Sequence, residues 1–175
     1  EITQEGVGAR QQIDFERGHF YEVGLGYAIQ KLNRFIMSDE WILKGLDRLK
    51  QIVHLGGHTT VGDLAVGLFD YELERALSVS VLDQADVPFR VLGVPHAGSA
   101  ARLKGGHKEV VAHINELQGS DTSRIRHGKH IKVFTDGAFF SELAMLQEPG
   151  YLDGHHGEWL MTPEEYEATV REYWQ

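Results

Sequence analysis

Residues 58–66 read HTTVGDLAV, a short stretch rich in β-branched side chains that begins directly after the glycine pair Gly56-Gly57. Glycine commonly ends a helix, and β-branched residues fit the pleated surface of a strand. The sequence therefore predicts a strand over 58–66. A helical pattern follows at 71–84, and a second strand is predicted over 89–95 after the turn Asp86-Val87-Pro88.

The same alternation of helices and strands continues on both sides of this segment. Apolar spacing predicts helices over 20–35, 39–53, 108–117 and 141–147, a third strand over 130–136, and a helix start at Thr162-Pro163-Glu164-Glu165. Strands separated by helices of about 10–15 residues indicate crossover units and a parallel sheet. Two α/β architectures fit this order: a doubly wound open sheet, or part of an eight-stranded barrel.

Composition and charge exclude several classes of function. The chain has 175 residues, enough for one domain or a core with a small appendage, and it contains no cysteine for a disulfide, a zinc knuckle or a thiol nucleophile. The net charge is −9, and no Phe, Tyr or Trp is interleaved with the basic stretch Arg124 to Lys132, so we expect no nucleic-acid partner. No apolar run approaches the about 18 residues needed to cross a membrane, and no signal pattern is visible. We expect a cytoplasmic protein with no membrane partner.

Two motifs near the third predicted strand resemble a known enzyme family. No dinucleotide fingerprint or phosphate loop follows any predicted strand. Residues 131–138 read IKVFTDGA, and Gly154-His155-His156-Gly157 follows after a proline-glycine break. This order resembles the amidohydrolase superfamily, and within it the branch of N-substituted formamide deformylase-like enzymes.

Three upstream segments extend the resemblance in collinear order. Residues 57–63 read GHTTVGD, residues 87–91 read VPFRV and residues 18–22 read GHFYE, and each is similar to the corresponding segment of that branch. The likeness covers the chain from about residue 14 to its end. The superfamily's first-strand H-x-H motif is absent, and so are the later strands that donate two histidines and an aspartate.

The resemblance implies a partial (β/α)8 barrel of about three strand–helix units. Residues 1–38 would be an insertion preceding the second barrel strand, and residues 39–175 a partial catalytic domain with strands near 58–66, 89–95 and 130–136. The implied activity is metal-dependent hydrolysis of a carbon–nitrogen bond in an amide, formamide or cyclic amide. The implied cofactor is one or two divalent metal ions, with zinc expected. We expect an internal fragment that carries no catalytic residue, binds no metal by itself and is inactive alone.

Lys132 is the candidate metal ligand. In a strand, Lys132, Phe134 and Asp136 point to one side, and burial in a parallel sheet lowers the pKa of a lysine. A neutral amine can add carbon dioxide, and the resemblance assigns to this lysine a carbamate that bridges two divalent cations. Alternatively, the ammonium group reaches solvent at the open end of the barrel or pairs with a carboxylate such as Asp136.

Three further residues are candidates for the substrate pocket: Asp136, Asp63 and His96. Asp136 and Asp63 are placed at strand ends, where barrel enzymes assemble their sites, but Asp136 also suits a turn and Asp63 a helix cap. His96 follows Val94-Pro95 and faces either substrate or solvent. His155 and His156 would be lid residues, because adjacent histidines in an extended loop diverge.

Two other kinds of function stay open at this point. One is a complete small α/β module that binds a ligand or a protein without catalysis. The other is a different hydrolase that draws its metal ligands from the ten histidines. A severed barrel would expose unpaired strand edges and self-associate, whereas a complete module would be monomeric. The expected small-molecule partner of the intact enzyme is an amide.

Overall fold

The computed structural model describes residues 12–36, 38–68 and 70–174, which form parts of two compact units. The strands are β1 (Ile13–Asp14), β2 (His19–Phe20), β3 (Thr60–Val66), β4 (Arg90–Pro95) and β5 (Ile125–His127). The α-helices are α1 (Glu22–Ile36), α2 (Asp39–Leu55), α3 (Tyr71–Leu82), α4 (Ala97–Lys104), α5 (His107–Gln118) and α6 (Pro163–Tyr173). A 3-10 turn covers Phe139–Ser141.

The first unit joins the segment up to Ser38 with Phe134–Thr162. It contains the antiparallel pair β1–β2 and helix α1. Hydrogen bonds distant in sequence hold its two segments together: the Gln12 side chain donates to Glu158, and the backbone N–H of Ala138 donates to the Glu22 carboxylate at 2.9 Å. The division between the two units falls after residue 38, and residues 134–162 group with the first unit.

The second unit, Asp39–Val133 with Pro163–Gln175, contains a parallel sheet with the strand order β3-β4-β5. Val61, Val91 and Ile125 are aligned across the three strands and pack on one face against α2 and α3. Val53, Leu82, Val87 and Phe89 complete this core. The predicted α/β class, the parallel sheet and the strands near 58–66 and 89–95 are confirmed. Within the described residues the sheet has three strands and does not close into a barrel.

The third strand is earlier than predicted. The strand β5 covers Ile125–His127, whereas the predicted strand over 130–136 retains only isolated bridges, one between Lys132 and His96 and one between Asp136 and Trp159. Between His127 and Lys132 the chain bulges by two residues relative to β4. Gly128 lies within this bulge, and a Cβ at its position would lie 2.3 Å from Nδ1 of the exposed His130 side chain.

The prediction of a short helix over 141–147 is also wrong. Only the 3-10 turn at Phe139–Ser141 is helical, and Glu142 then takes a left-handed conformation with φ of 60° that ends it. In place of a continuing helix, backbone hydrogen bonds tie this segment to residues 156 and 158. Long-range pairing has therefore overridden the local helical pattern. The short helix α4, with alanine and glycine in its first turn, had no clear periodic signal.

Candidate functional site

Lys132 lies at the carboxyl end of β4. Its backbone N–H donates to the carbonyl of Pro95 at 2.9 Å, and its carbonyl accepts from the N–H of Ala97 at 2.8 Å. The residue is half-buried. These two bonds fix the lysine backbone beside the turn that joins β4 to α4, at the end of a parallel sheet where ligand sites are usually built.

His96 is next to Lys132 and begins α4. Its Nδ1 accepts a hydrogen bond from the N–H of Ser99 at 3.3 Å and lies 2.9 Å from the Ser99 hydroxyl, so the imidazole caps the helix. Burial lowers the pKa of His96, and the positive charges of Arg102 and Lys132 lower it further. The ring is consequently a neutral, half-buried cap close to the Lys132 ammonium group, rather than a solvated loop histidine.

Asp136 belongs to the first unit and stabilises its own loop. One carboxylate oxygen accepts from the Thr135 hydroxyl and the other from the N–H of Met145, both at 2.8 Å. The backbone bridge to Trp159 adds a third tie. These contacts favour the turn interpretation of Asp136 made from the sequence.

Asp63 lies in the middle of β3, not at the strand end. It is aligned with Gly93 on β4 and, through Gly93, with His127 on β5, on the same face as the Val61 row that packs against the helices. Part of the side chain is solvent-exposed, but the surrounding atoms displace enough water to raise the pKa of its carboxyl, and the Glu74 carboxylate adds to this rise.

Asp63 lines a cavity of about 200 Å³ between this face and helices α2 and α3. The cavity also reaches Tyr71, Arg75, Ser78 and His127. Ile42, Leu46, Val66, Glu74 and Val91 complete its wall. Asp63 therefore contributes to a pocket between the helices and the face of the sheet, whereas the sequence predicted a pocket at the end of the strand.

A buried hydrogen-bonded chain forms part of that wall, and sequence reasoning missed it. The carboxylate of Asp121 accepts from the backbone N–H of His127 at 2.8 Å and lies 3.3 Å from Nδ1 of the same residue. Nε2 of His127 lies 3.1 Å from the hydroxyl of Tyr71, and the His113 ring packs edge-on against Tyr71 with centroids 4.9 Å apart. Burial raises the pKa of Tyr71 to about 12, so the phenol keeps its proton at neutral pH.

His155 and His156, in the loop after Pro149, stabilise that loop through separate contacts. His155 lies beside the Asp153 carboxylate, and its Nε2 is 2.6 Å from the carbonyl of Glu142. That carbonyl and the Asp153 carboxylate raise the pKa of His155. His156 instead has Nδ1 3.0 Å from the carbonyl of Leu146. The two rings thus diverge, as predicted, and each has its own partners.

The donors that are present do not assemble a metal site. Over residues 12–36, 38–68 and 70–174, no three His, Asp or Glu side chains are grouped closely enough to hold a metal ion. The sequence hypothesis that the histidines of this chain form a centre of their own gains no support. None of the described helices combines the length and the apolar character that crossing a bilayer requires.

No protein-family model matches the chain, and no curated protein matches it. Its structure is similar to the crystal structure of an uncharacterized metal-dependent hydrolase from Pyrococcus horikoshii, with a TM-score of 0.58 and 18% sequence identity. The similarity covers 93% of this chain and 31% of the archaeal protein, so this chain spans about a third of the length of that hydrolase. At this level of identity the likeness shows that the two share a fold.

Proposed function

We propose that this chain is a segment of a metal-dependent hydrolase of the amidohydrolase type, with Lys132 at the edge of its active site. The observation that carries the proposal is the position of Lys132. It is held by two backbone hydrogen bonds at the carboxyl end of a parallel strand, in a chain that shares its fold with part of a metal-dependent hydrolase. Enzymes with parallel β/α sheets build their sites at that end.

The proposed role of Lys132 is that of a carbamate ligand. Lys132 is half-buried, and the neighbouring capped helix α4 carries Arg102, whose positive charge also acts on His96. The neutral form of a lysine amine is the one that adds carbon dioxide to give an anionic carbamate. In this proposal the carbamate of Lys132 is a metal ligand.

The remaining ligands would have to come from elsewhere in a longer protein, since the described residues hold no cluster of three. The proposed barrel likewise requires more strands than the three present. The reaction class proposed from the resemblance is hydrolysis of a carbon–nitrogen bond in an amide, a formamide or a cyclic amide. Zinc is the proposed metal.

The test begins with the protein isolated from its natural source. Its mass and bound metal are measured, and hydrolysis of N-substituted formamides and cyclic amides is assayed. Substituting Lys132→Ala should lower the hydrolysis rate on the order of 100-fold or more, because loss of a direct ligand should cost at least as much as loss of a supporting contact. Acetate or propionate should restore part of the activity by supplying the missing carboxylate.

Lys129→Ala is the matched control, because Lys129 is exposed and lies in the same segment. It should leave the rate within a factor of two or so of the wild type, as surface substitutions usually do. A metal-free native protein of 19.7 kDa that hydrolyses none of these substrates would overturn the proposal and favour a small non-catalytic module.

A further inference from the structure

The cavity between the sheet and helices α2 and α3 contains polar groups that the interactions within the fold do not fully use. Its volume of about 200 Å³ is several times the roughly 30 Å³ that one water molecule occupies in the liquid. Apolar side chains from α2, including Ile42 and Leu46, cover one side of it. The polar residues lie on the other side, along β3, α3 and β5.

Arg75 supplies a hydrogen-bond donor without a partner. One terminal nitrogen of its guanidinium donates to the carbonyl of Ser120 at 2.6 Å, which anchors the side chain. Its Nε is buried and has no hydrogen-bond partner among the described residues, which is costly for a charged group. The guanidinium also lines the cavity, so its positive charge favours an anionic group there.

Asp63 supplies an acceptor that is poorly compensated. Its carboxylate accepts a long hydrogen bond, 3.3 Å from the backbone N–H of Ala65. Burial and the Glu74 carboxylate both raise the pKa of the Asp63 carboxyl, so its surroundings disfavour the anion. A cationic group beside Asp63 would reverse that effect.

The Asp121–His127–Tyr71 chain determines what the phenol can do at the same wall. A carboxylate can only accept, so the contact with Asp121 places the proton of His127 on Nδ1 and leaves Nε2 as the acceptor. Tyr71 must then donate its proton to His127, which leaves the lone pairs of the phenol oxygen as acceptors. Tyr71 and Asp63 therefore both favour a ligand that carries a hydrogen-bond donor.

We propose that this cavity is a binding site for a small zwitterion, an amino acid in the broad sense, with its ammonium group towards Asp63 and Tyr71 and its carboxylate towards Arg75. The site is separate from Lys132 and does not depend on the proposed hydrolase activity. Asp63 and Tyr71 favour a ligand group that donates hydrogen bonds, and Arg75 favours a group that accepts them. A simple anion or a simple amine would satisfy only one of these two requirements.

Saturation-transfer difference NMR on the whole chain tests the proposal, because the method detects weak ligands and tolerates self-associated protein. The probes are glycine, β-alanine, 4-aminobutyrate and 5-aminopentanoate, which vary the separation of the two charges. Acetate and methylammonium are the single-charge controls. We expect at least one of the zwitterions to bind with a dissociation constant of about 10 mM or lower. Its dissociation constant should be roughly tenfold or more below that of either control.

Variants locate the binding. Ser78→Leu places a large side chain in the cavity wall and should abolish the signal, and Asp63→Asn should weaken it roughly tenfold or more. Glu72→Gln is the matched control: it removes a carboxylate from the same helix at an exposed position outside the cavity and should leave binding unchanged. Circular dichroism verifies that each variant is folded.

Absence of binding by all four zwitterions to the wild-type chain would overturn the proposal. Equal binding of acetate or methylammonium would overturn it too, because the site would then recognise a single charge. Binding that survives Ser78→Leu in a folded protein would place the ligand elsewhere and have the same consequence. These readouts involve neither metal nor hydrolysis, so they are independent of the test of Lys132.

Discussion

Nε2 of His127 lies 3.1 Å from the hydroxyl of Tyr71, which joins the last residue of β5 to the first residue of α3 across 56 residues of sequence. Both side chains are buried, with 7% of the surface of each residue exposed. A buried hydrogen bond of this kind fixes the start of the helix relative to the sheet, because either partner alone would be left unsatisfied.

Tyr71→Phe removes the hydroxyl and leaves Nε2 of His127 without its partner. We expect a loss of about 1–3 kcal/mol in the free energy of unfolding, the usual cost of an unsatisfied buried polar group. Urea denaturation followed by circular dichroism measures the change. Tyr166→Phe is the control, since Tyr166 is 42% exposed, and should change the stability by less than about 0.5 kcal/mol. Equal effects of the two substitutions would contradict a structural role for the Tyr71–His127 bond.

Gly93→Ala should destabilise the sheet because His127 occupies the space above Gly93. A Cβ at this position would lie 3.1 Å from Cδ2 and 3.3 Å from Nε2 of the His127 ring, closer than ordinary van der Waals contact. We expect a cost of about 1–3 kcal/mol, typical of overpacking, measured by thermal unfolding.

Gly45→Ala is the matched control for the Gly93 substitution. Gly45 lies within α2, and a Cβ there meets no atom within 4 Å. Alanine favours the helix over glycine by about 0.5–1 kcal/mol, so this variant should be more stable than the wild type. A stabilising Gly93→Ala would show that the His127 ring does not hold the position described.

Acidification should destabilise the second unit through His113. Burial lowers the pKa of this histidine, and the charge of Lys104 lowers it further. The unfolded chain has the ordinary value of about 6.5, so the unfolded state binds more protons between the two values. The stabilising contribution is complete above about pH 6.5 and is lost as the pH falls through the lower value of the folded state.

The measurement is the free energy of unfolding of wild-type and His113→Gln proteins between about pH 5 and pH 8. The variant should lose less stability on acidification than the wild type. Part of the slope should remain, because burial also lowers the pKa of His96. Identical slopes for the two proteins would exclude His113 as a source of the pH dependence.

Self-association through the edges of the sheet is a further expected property. β3 and β5 are the outer strands of the three-stranded sheet, and Leu64 on β3 is 53% exposed. Exposed apolar edge strands pair with other copies, and a charge on the edge prevents this. Light scattering should show oligomers of the wild-type chain and a shift towards monomer in Leu64→Lys. Leu103→Lys, at a position 51% exposed on α4, should leave the oligomers intact. A monomeric wild type would instead support a complete, self-contained module.

The first two strands of the sheet could be predicted because their local patterns and their long-range pairing agree. The third was misplaced for a physical reason. Residues 131–135 have the better local strand pattern, but Ile125 fits the core beside Val91, and Asp121 holds the backbone N–H of His127 in place. Those two contacts stabilise strand pairing six residues earlier than β-propensity alone indicates.

The residues of the candidate site also differ in how far the sequence could predict their positions. Lys132 was predicted within the third strand, whereas the structure places it in an isolated bridge with His96, beyond the end of β5. The orientation of Asp63 towards the helices was not accessible from the sequence, since a strand pattern gives two faces without saying which one the helices cover. The contact of Tyr71 with His127 joins residues that share no motif, and no spacing in the sequence marks it.

The sequence by itself determined the alternation of helices and strands and the parallel direction of the sheet. These follow from side-chain periodicity, from glycine and proline at element ends, and from the short connections between elements. Only the tertiary structure decided the register of β5, the buried chain from Asp121 to Tyr71 and the cavity beside it. These depend on contacts between distant residues, whose free energy is gained only when the whole sheet and its helices are in place.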